Sequence, residues 1–280
     1  MPRKIAITGG SGSIGRAVVA QALAKGHLVV NVDRGALLDA APGLRQIQAD
    51  LADYDGLLAA FNGCDALIHL AAIPIPFTLP DHVVHNTNVT GSYNAIRAAV
   101  ECGIMRIAQA SSVNAIGHAF SRVPAYDYFP IDEAHPNHAE DAYSLSKWIC
   151  EAQGDAFARA TPGLSIASLR FHWNKTRDFA RAAYAAHHLP IEKHLWAYVP
   201  PEAGARAALA AVGTDLGGHE VFYIVAADTT DDTPSRELAA RHFPDVPIRG
   251  EFAGNASFFD SGKARRLLGW TPDPAAKETP

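Results

Sequence analysis

The chain opens on a short apolar run, Ile5-Ala6-Ile7, that stops at Thr8-Gly9-Gly10-Ser11-Gly12-Ser13-Ile14-Gly15. Ile14, Val18, Val19, Ala22 and Leu23 then recur at helical spacing, and Gly26 ends that helix. His27–Val32 predicts a second strand closing on Asp33, and Leu44–Ala49 a third, weaker one. Ala66–Leu70, Met105–Ala110 and Leu164–Leu169 predict the fourth, fifth and sixth strands. Long helices are expected over about 81–102, ended by Gly103, and about 139–160, stopped by Thr161-Pro162-Gly163. Buried-type strands alternating with helices mean βαβ units and right-handed crossovers. The expected fold is α/β, a Rossmann-type doubly wound parallel sheet.

Beyond Arg170 the rhythm changes. Residues 171–201 are mixed, aromatic and rich in His, Arg and Lys. A helix is expected over Ala203–Val212, a late strand over Glu220–Val225 and a short helix over Ser235–His242. This divides the chain into a dinucleotide-binding domain over 1–170, rejoined at about 203–227, and a small discontinuous substrate-binding part. The latter comprises 171–202 and 228–280, and its end, from about Asp273, is expected to fray.

Composition narrows the partners. With 48% hydrophobic and 19% charged residues in 280, the chain has ordinary globular character. A net charge of −5 argues against nucleic acid or an anionic membrane as the main partner. No apolar run approaches the roughly 18 residues of a membrane span. The first residues run straight into a strand, so no signal peptide is expected. Cys64, Cys102 and Cys150 have no CxxC spacing and read as small core residues in a reducing compartment, with the cytoplasm as the expected location. His82/His85, His135/His138 and His187/His188 lack a set of further ligands, so no metal is expected.

Chemistry enters at the glycines. Gly9, Gly12 and Gly15 lie between a strand and a helix, where missing Cβ atoms let the backbone turn sharply and approach a pyrophosphate. The helix N-terminus at Ser13, Ile14 and Gly15 supplies free N–H groups and partial positive charge. The spacing is G-x-x-G-x-x-G, unlike the commonest fingerprint. Asp33, at the end of the second strand, is placed to accept hydrogen bonds from an adenosine ribose and to repel a 2′-phosphate, which favours NAD over NADP. Arg34 and Arg16 lie close enough to soften that preference. A surface turn residue is the alternative for Asp33. Asp50, followed by Leu51, is either an adenine contact or a helix cap.

Tyr143 and Lys147 stand at i and i+4 of a predicted helix, hence on one face. A phenol with a pKa near ~10 is a poor base at neutral pH, but a neighbouring ammonium and a positive nicotinamide ring both stabilise the phenolate. A drop of about three units corresponds to roughly 4 kcal/mol. Tyr143 would then take a proton from a substrate hydroxyl as hydride leaves for the cofactor. Ser111 and Ser112 follow the fifth strand, at the sheet edge where such ligands bind.

In order along the chain, Thr8–Gly15, Asp50-Leu51, His69-Leu70-Ala71-Ala72, Asn88-Val89-Thr90-Gly91, Ala110-Ser111-Ser112 and Tyr143–Lys147 resemble the extended short-chain dehydrogenases/reductases. The NAD-dependent epimerase/dehydratase group is the part of that family they resemble. The resemblance resumes at Phe259–Ala264 and Leu267–Pro272. It implies that Ser112 polarises the reacting group, Tyr143 is the acid/base, and Lys147 lowers its pKa and binds the nicotinamide ribose. It also implies that Leu70, Ala71 and Ala72 line the cofactor channel. Asn88 is the fourth member, bracing the site through backbone contacts, with a purely structural role as the alternative.

Val113-Asn114 stands where the family's dehydratases carry an Asp-Glu pair, which argues against water elimination. Ala110–Gly117, the short C-terminal part and the Leu-Gly-Trp ending are similar to uronate dehydrogenases, which oxidise the anomeric hydroxyl of a free sugar acid. Ser111, Asn114, His172, Trp173 and Asn174 are then expected near the substrate. Arg177, with Arg181 and Lys193, would be a candidate grip for its carboxylate. Two other readings remain: a nucleotide-sugar 4-epimerase with tightly bound NAD, and a non-catalytic NAD(P)-binding redox sensor. The second usually lacks the Tyr/Lys pair that is present here. Many relatives dimerise by pairing the two long helices into a four-helix bundle, so a homodimer is expected.

Overall fold

The computed structural model describes residues 2–35, 37–186 and 190–273; the His187/His188 pair and the tail past Asp273 lie outside them. Seven strands run through it: β1 (Lys4–Thr8), β2 (Leu28–Asp33), β3 (Leu44–Gln48), β4 (Ala66–His69), β5 (Arg106–Ser112), β6 (Ser165–Phe171) and β7 (His219–Ile224). The helices are α1 (Ser13–Ala24), α2 (Tyr54–Phe61), α3 (Asp81–Glu101), α4 (Ala142–Ala160), α5 (Arg177–Ala186), α6 (Pro201–Gly213), α7 (Ser235–His242) and α8 (Gly262–Leu268). Two 3₁₀ turns, Val113–Ile116 and Ile191–His194, sit beyond β5 and α5.

All seven strands pair in parallel in the order β3-β2-β1-β4-β5-β6-β7. The period of two along each strand builds two cores. Ile5, Ile7, Val29, Ile68 and Ala108 point to the face covered by α1 and α6, while Ala6, Val30, Leu67, Ile107 and Ile166 point to the face covered by α2, α3 and α4. Every residue of β6 is buried, its Ser165, Ser168 and Arg170 included, as befits a strand covered on both faces. The strand order reverses between β1 and β4, so the crevice for a ligand opens at the carboxyl ends of these strands.

The expected strands and long helices are present, with two useful shifts. β5 runs on through Ser111 and Ser112, and β6 through Arg170 and Phe171, so these residues carry strand geometry. The segment read as mixed contains α5, which buries Ala180 and Tyr184, four apart, and exposes Phe179. A third core joins Val113, Ile116, Phe129 and Ile131 to Leu195, Trp196, Val225, Leu238 and Phe258 above the carboxyl edge. The segment beyond β5 therefore packs with residues of the chain's C-terminal third as well. Among the described residues, no helix is long and apolar enough to cross a membrane.

Candidate active site

Gly9 adopts φ +72°, and a Cβ there would lie 2.6 Å from the Ala71 backbone nitrogen. A Cβ on Gly15 would lie 2.2 Å from the Gly9 carbonyl oxygen. Glycine is therefore required at both positions, because the loop folds onto itself and onto the chain leaving β4. Gly12 is the N-cap of α1 and offers no side-chain cap. The first-turn N–H groups, at Ser13, Ile14 and Gly15, are left without a side-chain acceptor. Asn31 and Gly10 complete the cradle, the Gly10 N–H donating to the fully buried Asn31 Oδ1 at 3.1 Å. Sequence reasoning passed over both; the signal was an amide inside an otherwise apolar strand.

The Asp33 carboxylate is tied at both oxygens, accepting from the Ser11 N–H at 3.0 Å and the Gly35 N–H at 2.9 Å. It is held beside the glycine loop, as a ribose acceptor must be. Arg34 pairs with Asp50 at 3.9 Å, with both side chains more than half exposed. Asp50 also accepts from the Ala52 N–H at 2.9 Å, the geometry of a turn cap. Leu51 packs over Gly91 of α3, where a Cβ would lie 2.6 Å from its Cδ1. Uncapped helix N–H groups, a cradle without Cβ atoms and a fixed carboxylate together fit a dinucleotide with a free adenosine ribose.

Past β4 the floor is Leu70, Ala71 and Ala72, all half-buried. The Thr8 hydroxyl bonds His69 Nδ1 at 2.7 Å, and the Ala71 N–H donates to the same oxygen at 3.4 Å. Burial, with the Lys147 charge assisting, lowers the His69 pKa to about 3. Asn88 on α3 is a brace. Its Oδ1 accepts from the Ile73 N–H at 2.8 Å, and its Nδ2 donates to the Ile73 carbonyl and to Ser146 Oγ, both at 3.1 Å. Every polar atom of the Asn88 amide is thus spent on the scaffold.

Helix α4 starts at Asp141, whose carboxylate caps the Ser144 N–H at 2.9 Å. That places Tyr143 in the first turn and Lys147 one turn later, both buried. The Lys147 Nζ lies 5.9 Å from the Tyr143 ring centre and donates to the Ala110 carbonyl at 2.8 Å. Ser112 caps the 3₁₀ turn beyond β5 and stands beside the Tyr143 hydroxyl, close enough to lower its pKa. Its oxygen accepts from both the backbone N–H and the Nδ2 of Asn114, at 3.1 and 3.3 Å. A hydroxyl oxygen has two lone pairs, and both are used. The Ser112 hydrogen is thus aimed at Tyr143 or at an oxygen beside it.

The expected depression of the tyrosine is absent from the protein alone. Burial pushes the Tyr143 phenol up to about 12, with the Ser112 hydrogen bond pulling it back and Asp141 and Cys150 adding to the rise. Burial also lowers the Lys147 ammonium, opposed by Cys150 and Glu151. Desolvation is the largest cause, so a phenolate at this position would need positive charge at its side.

The residues expected at the substrate separate. Asn114 stays, with a buried Oδ1 that has no partner. Asn174 is buried at the end of β6 with neither amide atom partnered. Ser111 points elsewhere, donating to Glu151 Oε1 at 2.5 Å under α4, because successive strand residues face apart. His172 is spent on the scaffold, Nδ1 accepting from the Trp173 N–H at 2.7 Å and Nε2 facing the His194 carbonyl at 3.1 Å. Trp173 packs edge-on against Phe179 and Tyr184. The three cations expected to grip a carboxylate are engaged within the protein. Arg177 pairs with Asp228 at 3.1 Å and Asp232 at 2.7 Å, Arg181 pairs with Asp232 at 2.8 Å, and Lys193 donates to the Ser121 and Arg122 carbonyls. Among the described residues, no group of three His, Cys, Asp or Glu side chains is arranged to hold a metal.

The fold and this site define a dinucleotide-dependent oxidoreductase of the short-chain class. The model of the NAD dependent epimerase/dehydratase family matches residues 5–174, and the chain belongs to that family. It is 33% identical over 184 residues to L-arabinose 1-dehydrogenase (NAD(P)(+)) of Haloferax volcanii, covering 64% of this chain and 70% of that one. It is 27% identical to dTDP-6-deoxy-L-talose 4-dehydrogenase (NAD(+)) of Aggregatibacter actinomycetemcomitans, over 71% of this chain and 72% of that one. Among solved structures, MoeE5 in complex with UDP-glucose and NAD superposes with a TM-score of 0.73 at 23% identity, covering 98% of this chain and 95% of that one. A mutated uronate dehydrogenase superposes with a TM-score of 0.71 at 21% identity, over 98% and 82%. The family membership makes this chain an NAD-dependent enzyme.

Proposed function

We propose that the chain is a dehydrogenase that oxidises a hydroxyl group of a neutral sugar, with Tyr143 as the acid/base. The observation that carries this reading is the meeting of Ser112, Tyr143 and Lys147 at the carboxyl edge, beside the glycine cradle. Bound NAD supplies the hydride acceptor and a positive ring. Ser112, with its lone pairs filled by Asn114, donates to the reacting oxygen and holds it against Tyr143. Tyr143 removes the hydroxyl proton as the carbon loses hydride, and Lys147 holds positive charge beside the phenolate. The carbonyl product has lost two hydrogens from the alcohol, one as hydride and one as the proton taken by Tyr143.

Two features favour a neutral sugar over a sugar acid. Arg177 and Arg181 are already paired with aspartates, and the Lys193 ammonium is turned to the Ser121 and Arg122 carbonyls. An aromatic wall leads out from the catalytic tyrosine. Phe120 stands edge-on to Tyr143 at 5.7 Å, Phe77 edge-on to Phe120 at 6.1 Å, and Ile75 and Leu79 are exposed beside them in sequence. Such a wall suits the C–H face of a sugar ring. The unpartnered Asn114 Oδ1 would accept from a second substrate hydroxyl. The L-arabinose 1-dehydrogenase relative supports the same class.

A screen of free aldoses, uronic acids and nucleotide sugars for NADH formation tests the reading. Stoichiometric NADH from an aldose, lost in Tyr143→Phe, is expected. Preference for a uronic acid would overturn the neutral-sugar reading, and interconversion of nucleotide sugars without net NADH would make the protein an epimerase. Exposed Tyr93 on α3 and Leu145 and Trp148 on α4 support a homodimer through these helices, which sedimentation of wild type and Trp148→Glu would test.

A further inference from the structure

Three consecutive residues of β5 meet three residues of α4 spaced four apart. Ser112 stands beside the Tyr143 hydroxyl, the Ala110 carbonyl takes the Lys147 ammonium at 2.8 Å, and Ser111 bonds Glu151 at 2.5 Å. Two of these contacts belong to the catalytic pair. The third does not touch the cleft, yet it is the most heavily fixed. Arg170 grips Glu151 with two bonds, Nε to Oε1 and Nη2 to Oε2, both at 2.8 Å. Its remaining nitrogen donates to the Tyr223 hydroxyl at 3.0 Å. Ser111, Arg170 and Tyr223 are cross-strand neighbours on β5, β6 and β7, and all of them, with Glu151, are buried. Glu133 extends the row, accepting from the Tyr223 N–H at 2.9 Å.

A buried ion pair seldom adds stability over apolar packing of the same volume, because desolvation offsets the attraction. What it adds is direction. A forked guanidinium accepts a carboxylate in one orientation, whereas apolar contacts let a helix slide. We propose that Glu151, fixed by Arg170, is a positioning residue that sets the register of α4 on β5 and so aims Tyr143 and Lys147 at Ser112. Tyr143, Lys147 and Glu151 share one helix face, so a slip at the third contact is carried to the first two. This rests on the proposed role of Tyr143.

The test compares wild type, Glu151→Gln and the milder Ser111→Ala, each checked for folding by circular dichroism and melting. Glu151→Gln should lower kcat about 10-fold or more, since small misplacements of reacting groups carry large penalties. NAD affinity and the sugar KM should stay within about threefold, because the glycine cradle lies on other strands. Ser111→Ala should lower kcat about threefold on the same grounds. A folded Glu151→Gln enzyme with wild-type kcat overturns the proposal. So does Glu151→Gln/Arg170→Met if it restores kcat, since the pair would then serve stability alone. The Tyr143 ring resonances in tyrosine-labelled protein, assigned with Tyr143→Phe, need no substrate. They should shift in Glu151→Gln, and unmoved resonances overturn the proposal whatever the enzyme acts on.

Discussion

Two rows of side chains in this molecule run from a serine through a proton-carrying partner to a charged third member, and only one sits where the sheet opens to a ligand. At the carboxyl edge, Ser112 closes β5 and meets Tyr143, with Lys147 behind. In mid-sheet, Ser168 Oγ lies 2.7 Å from His219 Nε2, and His219 Nδ1 lies 2.7 Å from Asp155 Oδ1, the order of a hydrolytic triad. Ser168, however, is fully buried in β6, its oxygen also takes the Gln109 amide at 2.7 Å, and the His219 ring is pressed against Gly154. Nothing can reach that oxygen. A chain of hydrogen bonds becomes a site only at the end of a strand, where the sheet opens to a ligand.

The sharpest attack on this contrast is Tyr143→Phe, which should cost about 10³-fold in kcat with the melting temperature unchanged, as read by NADH absorbance. Ser112→Ala should follow at about 10²-fold, since one preorganised donor is lost. Acid separates the regions next. His69 and His172 are held neutral by burial, each with its pKa lowered to about 3. Their depressed folded pKa values make the unfolded chain the better proton binder below pH ~6.5, so stability is full above that pH and falls as the pH drops toward 3. Each should cost about 2 kcal/mol between pH ~6.5 and ~5, measured by urea midpoints, with His172→Phe flattening the slope. Asp33→Asn should weaken NAD binding about 10-fold and raise the NADP-to-NAD affinity ratio, read by titration. The smallest effect belongs to the mid-sheet chain. Ser168→Ala should leave turnover within about twofold while lowering stability by about 1 kcal/mol. Ester hydrolysis lost on that substitution would erase the contrast.

What the sequence made legible was local. The glycine spacing, Asp33 at a strand end and the Tyr-x-x-x-Lys step all lie within one strand–turn–helix unit or one helical turn, and backbone geometry alone brings them together. The misreadings came from partners far along the chain. Arg177 looked available because Asp228 and Asp232 lie about fifty residues on, beyond β7. Ser111 looked like a twin of Ser112 until β5 proved to run through both, which turns neighbouring side chains to opposite faces. His172 looked like a cleft residue, yet Trp173 and His194 take both ring nitrogens.

The crowding of Ser112 by Asn114 has a further consequence under the proposed chemistry. A serine whose lone pairs are both occupied can give its hydrogen but cannot receive one, so it can donate to the reacting oxygen whether that is alcohol or carbonyl. Such a site has no preferred direction of its own. Whether the enzyme consumes a sugar or makes one is then set outside the protein, by the ratio of oxidised to reduced cofactor and by how quickly the product is carried away.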